Sequence, residues 1–185
     1  MKRTVAITGV WMVLAICPLF GQSKKDPLTE QQIEEVREAG IDPPGRIKLF
    51  VGYVEERSKG IHDLNADAHA QNKTVRIHNL LDEFTRLSDD LEDNMDNFND
   101  QHADLRKVLK DVVEKSGQWG TVLNEPPPSN QYDFVRKTAI ESNQSVHEAA
   151  VQMLADEEKY FIEKKKEEKA AEKAAEKAAE KSETR

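Results

Sequence analysis

The chain has 185 residues, with 27 Lys and Arg against 35 Asp and Glu, 34% charged residues, 6% aromatics and a single Cys. With 37% apolar residues and a mean hydropathy of -0.75 it is too polar for a thick globular core, and its 8 Gly and 7 Pro cannot supply the many turns of a sandwich or barrel. No buried Val/Ile runs alternate with helical patterns after the first twenty-one residues, which excludes a nucleotide-binding parallel sheet.

Met1-Lys2-Arg3-Thr4 places two cations ahead of an apolar stretch from Val5 to Phe20, after which Gly21-Gln22-Ser23-Lys24-Lys25 is abruptly polar. This is the anatomy of a secretory signal peptide over residues 1–21, with Gly21 before the cut. Thr8, Gly9 and Pro18 interrupt the run, and it falls short of the roughly 20 apolar residues a spanning helix needs. Lipidation at Cys17 is the competing reading, opposed by the bulky Ile16 before it. Ordinary cleavage leaves a chain without cysteine, hence without disulfide or thiol chemistry.

The remaining elements follow from hydrophobic period. Leu28-Thr29-Glu30-Gln31-Gln32-Ile33 has the letters of a capping box with a hydrophobic staple, opening a short helix that Gly40 stops. Asp42-Pro43-Pro44 opens a second, where Asp42 can cap and proline's missing N–H costs nothing. Ile47, Phe50, Val54, Ile61, Leu64 and Ala68 share one face of it, Gly52 and Gly60 soften it, and a turn is expected near residues 70–74. Ile77, Phe84, Leu91, Phe98, Leu105 and Val112 then stand seven apart, predicting one helix from Lys73 to Lys115, about 65 Å long. Ser116-Gly117 and Glu125-Pro126-Pro127-Pro128 end it, with Trp119, Val122 and Leu123 covering the end of the bundle. A last helix begins near Asn130, with Tyr132, Ala139, Val146, Met153 and Tyr160 in its seam and Ser142 facing Phe84 and Phe98.

After Ile162 come Glu163-Lys164-Lys165-Lys166-Glu167-Glu168 and three Lys-Ala-Ala-Glu units. Residues 163–185 are thus a low-complexity helical tail, similar in composition to the Ala/Lys/Glu stalks of envelope-spanning proteins such as TolA. The expected fold class is all-α: an elongated antiparallel bundle over residues 22–162, three long helices and one short, with this tail appended.

The tail carries a net +1 (eight basic, seven acidic) and the leader +2, so residues 22–162 carry -11. Asp82 to Asp104 holds nine acids against one Arg, which opposes binding to phosphate backbones. Ser88 to Asp100 lacks the glycine and ligand spacing of an EF-hand loop; Asp89, Asp93, Asp96 and Asp100 read as one outer face able at most to attract divalent ions loosely. His62, His69, His78, His102 and His147 show neither the i,i+4 pairing of a helical zinc site nor the Glu-x-x-His pairs of di-iron bundles, although Asp63 and Asp67 sit beside the first two. His102, with Asn94 and Gln101, lies on the stripe of a polar layer that would fix register, His102 itself at the seam's edge. No catalytic, cofactor-binding or metal residues are assigned, and Asn72-Lys73-Thr74 and Asn143-Gln144-Ser145 are glycosylation sequons.

Leu28-Thr29-Glu30-Gln31-Gln32 also resembles the Leu-Thr-x-x-Gln pattern of the small helical periplasmic chaperones Spy and CpxP; that group typically carries two copies, and this chain has one. The resemblance implies an exported, all-helical, non-enzymatic protein. The functional expectation is a non-enzymatic interaction or scaffold protein of the periplasm, cell envelope or exterior. It would bind protein partners or its own copies, not nucleic acid, with no stable transmembrane anchor after cleavage. A chaperone of the Spy/CpxP type and a weak divalent-cation binder are the alternatives.

Overall fold

A computed structural model describes residues 25–183; the leader, Cys17 and the cleavage position lie outside them. The described chain is all-helical: α1 Glu30–Glu38, α2 Pro43–Ala66, α3 Lys73–Asp100, α4 Arg106–Leu123 and α5 Asp133–Glu183. No described helix is long and apolar enough to cross a membrane.

α1 begins on the expected capping box. The Thr29 hydroxyl accepts from Gln32 N at 3.2 Å, and Gln32 Oε1 accepts from Thr29 N at 2.9 Å. It ends in a short 3-10 turn over Ala39–Ile41, and Gly40 is not in the left-handed conformation expected of a stop. Asp42 holds the N-cap position of α2 but its side chain makes no capping hydrogen bond; Pro43 and Pro44 fill the first two helical positions, where a missing N–H costs nothing. α2 runs unbroken through Gly52 and Gly60, and the turn to α3 falls at residues 67–72.

The single helix expected from Lys73 to Lys115 is two. α3 stops at Asp100, and His102 takes a left-handed φ of 56°. Ala103 N donates to Phe98 O and His102 N to Asn99 O, the paired bonds of a Schellman motif, with histidine where glycine is usual. Phe98 and Leu105 are both buried, so the seven-residue spacing survives the turn and conceals it. α4 then continues past Ser116-Gly117, because Trp119 and Leu123 lie fully buried one and two turns further on.

Successive helices run antiparallel, yet the packing is not a simple meander. α2 packs on α3 and α4, and α5 packs on α3 and α4, while α3 and α4 do not lie side by side. The α3–α4 connection therefore crosses the bundle diagonally, making α2/α4 and α3/α5 parallel neighbours. Trp119 Nε1 donates to Glu55 across the first of these pairs at 2.6 Å, and Ser142 and Ser145 bond Asp89 and Glu92 across the second. Ser142 thus faces α3 near Thr85 and Asp89. At the centre the Phe84 and Trp119 rings meet edge to face, 6.0 Å apart, joining the diagonal helices; Trp119 belongs to the core and not to an end cap.

The seam of α5 ends at Met153. Tyr160, expected next in the seam, is 40% exposed, and the last buried side chain is Glu157. Tyr160 and Phe161 still touch His102 and Arg106; beyond them α5 continues to Glu183, roughly 33 Å at 1.5 Å per residue.

Candidate functional site

Three places on the body combine shape with polar chemistry. The first lies where the N-terminal segment Lys25–Thr29 crosses α2 and α3. Arg57, although a cation, is 93% buried: its Nε donates to Glu83 at 3.0 Å, Nη1 to Glu56 at 2.7 Å and Nη2 to the Pro27 carbonyl. Arg86 reaches the Lys25 carbonyl at 2.8 Å. Two arginines thus strap the segment down, since a buried guanidinium needs acceptors for its fork of N–H groups. Tyr53, donating to Glu35 at 2.8 Å, ties α1 alongside. Burial first, and then the bond to the Glu35 carboxylate, push the Tyr53 phenol up to about 12. Beside the strap opens a groove of about 770 Å³ with Leu64, Leu80 and Gly60 among its lining residues.

The second place is the α4–α5 contact. Asn143 is buried and donates to Ser116 O at 3.0 Å; the Ser116 hydroxyl lies 2.8 Å from His147 Nδ1 and donates to Val113 O. Gly120 lets this layer close, because a Cβ there would sit 3.2 Å from Asn143 Nδ2. The serine hydroxyl is committed to a helix carbonyl inside the core, so the pair serves packing register. Burial of Asn143 also takes its sequon out of reach in the folded chain, whereas Asn72 is exposed in the α2–α3 turn.

The third is the elbow between α3 and α4, beneath the exit of α5. Leu105 and Arg106 open α4 without a local capping side chain at Leu105. Glu157 reaches in from α5 instead and accepts from Leu105 N at 3.0 Å, a tertiary cap at the positive end of a helix. Burial holds its carboxyl above the usual range, with Asp104 adding to the shift and the backbone bonds opposing it. The His102 ring stacks on Tyr160 at 5.2 Å, Tyr160 meets Phe161 edge to face, and the Arg106 guanidinium lies 4.2 Å over Phe161. Arg106 also binds Asp104, and those hydrogen bonds hold the Asp104 carboxyl below its ordinary range.

The five histidines are dispersed. His62 pairs with Glu125 at 2.7 Å, His69 lies exposed in the α2–α3 turn, His78 is half-buried on α3, His102 forms the elbow and His147 meets Ser116. Asp89, Asp93, Asp96 and Asp100 are exposed along α3, while half-buried Asp90 is pushed up by burial and by Asp93, Asp89 and Asp26. Among the described residues no three of these carboxylates and imidazoles gather to hold a metal ion. No polar layer forms at Asn94 and Gln101, since Asn94 bonds its own helix at Asp90 O and Gln101 is exposed, while His102, expected at the seam's edge, is exposed. The layers that do form use Asn143, Ser116, Glu157 and Arg57. Asn143 and Glu157 share the phase of Ala139, Val146, Ala150 and Met153, the one signal in the sequence that points to them.

No protein-family model matches the chain, and no curated protein or solved structure is significantly similar to it.

Proposed function

We propose that the chain is an exported, non-enzymatic interaction protein whose helical body is presented to protein partners at the end of a projecting helix. The observation that carries this reading is α5, which binds the body over its first half and then runs on past Phe161, with residues 162–174 all exposed. A helix whose only apolar residues after Ile162 are alanines gains little by burying a face in its own body, and suits the role of spacer or tether. The cationic and apolar leader supports export, and the -11 charge of residues 22–162 favours basic protein surfaces over nucleic acid.

The test is made on the full-length chain in its host. N-terminal sequencing of the accumulated protein is expected to begin near Gln22, and photo-crosslinkers at Lys165, Lys169 and Lys173 are expected to trap discrete partners or a second copy. Deleting residues 163–185 should release the body from its location and from the partners so identified. A retained leader, or unchanged localisation and binding after the deletion, overturns the proposal.

The groove beside the Lys25–Thr29 strap favours one second reading, a client-binding chaperone of the kind the Leu28–Gln32 motif suggests. On that reading the protein suppresses aggregation of an unfolded client at near-equimolar ratio, and Leu80→Asp in the groove removes the effect. Inactivity of the intact chain in that assay leaves the scaffold.

A further inference from the structure

The elbow forms a half-open cavity of about 300 Å³, the small end of the range for ligand sites. Its lining brings the carboxylates of Asp100, Asp156 and Glu157 together with the rings of His102, Tyr160 and Phe161. We propose that this cavity binds an alkylammonium group, the chemistry shared by a lysine side chain and a free polyamine.

The argument rests on three features. Glu157 is a carboxylate only 6% exposed, and the N–H groups at the start of α4 fill only some of its acceptor positions. A cation entering beside it offsets the cost of keeping that charge away from water. The rings offer π faces that attract cations, as the chain's own Arg106 over Phe161 and Lys164 over Tyr160 demonstrate; neither of those residues lines the cavity. Finally, the lining groups are not gathered for a metal ion, which needs its ligands within about 2.6 Å, whereas an ammonium on a methylene stem uses carboxylates and ring faces at longer range. The left-handed His102 is the residue that lays an imidazole flat on Tyr160.

The experiment is calorimetric titration and amide-shift mapping of the full chain with n-butylamine, spermidine and a capped Gly-Lys-Gly peptide. Butylammonium is expected to saturate and to shift amides of residues 99–106 and 156–161. Tyr160→Ala, a change at a half-exposed position, and Glu157→Gln should each weaken it about tenfold; Asp93→Asn, on the same acidic helix but outside the cavity, should not. If Glu157→Gln alters the far-ultraviolet circular dichroism, the exposed Asp156→Asn replaces it. Tighter binding of spermidine assigns the site to a free polyamine, and tighter binding of the peptide to a partner's lysine; both support the proposal. Failure to saturate, or shifts spread along α3 with equal weakening by Asp93→Asn, overturns it in favour of diffuse charge attraction.

Discussion

Glu157 stands where the seam of α5 would next take an apolar side chain, and there it accepts from Leu105 N, whose own helix end offers no side-chain cap, while Asp104 accepts locally from Arg106 N. Its energetics set a pH dependence. Burial raises its folded-state pKa above the ordinary 4.5, so the folded chain binds this proton more tightly than the unfolded one. The stability this provides is complete below 4.5 and is lost as pH rises through the raised folded value. Glu157→Gln keeps an oxygen acceptor for Leu105 N–H and removes the titration. Its stability relative to the unaltered protein should therefore rise with pH, as read from urea midpoints between about pH 4 and about pH 7. A difference independent of pH would show that the carboxylate carries no burial cost. Nothing local singles out Glu157 from Asp156 and Glu158. Its phase relative to Ala150 and Met153 does, but what an acid on that phase would cap was not legible, since the acceptor-starved helix end lies 52 positions earlier.

At the level of the helices, glycines separate local propensity from tertiary fit. A Cβ at Gly52 or Gly117 meets nothing within 4 Å, so Gly52→Ala and Gly117→Ala should each stabilise the protein by about 1 kcal/mol. Gly120→Ala instead drives a Cβ against buried Asn143, whose amide is tied to Ser116 O. The gain in propensity is then offset by strain or by a broken buried hydrogen bond, a loss of about 1–3 kcal/mol. Denaturant unfolding of the three variants tests the contrast, and equal stabilisation of all three would refute the close packing at Gly120. The α3–α4 elbow belongs to this scale too. Every member of the period-seven series from Ile77 to Val112 is buried, yet the series ran straight over the break, because a turn that returns the chain to the same core preserves the phase. The usual marker of such a turn, a glycine, is replaced by His102, one of the few non-glycine types that tolerate positive φ.

For the whole molecule, the diagonal α3–α4 crossing makes the Phe84–Trp119 contact, among the described residues, the one ring pair joining helices that do not otherwise pack side by side. Phe84→Leu and Trp119→Leu should therefore be non-additive. The double variant should lose less stability than the sum of the singles, by about 0.5–1.5 kcal/mol. Additivity within the error of chemical denaturation would mean that the rings stabilise independently. Beyond Phe161, by contrast, residues 162–174 are all exposed. Deleting residues 163–185 should lower helical circular dichroism while leaving the melting temperature of the body unchanged. A fall of more than about 4 °C, equivalent to about 1 kcal/mol, would show that the tail folds back on the bundle.

The sequence by itself determined the all-helical class, the apolar seams of α2 to α5, the capping box at Thr29 and the polar character of the extension after Ile162. Each of these depends on residues a few positions apart, and helical periodicity and capping act over that range. The tertiary structure alone decided that the third predicted helix is two, that α3 and α4 lie on a diagonal, and that Arg57, Asn143 and Glu157 are buried. Those outcomes depend on which polar atoms find partners 26, 27 and 52 residues away, and a hydrogen bond between distant segments leaves no periodic trace in either one.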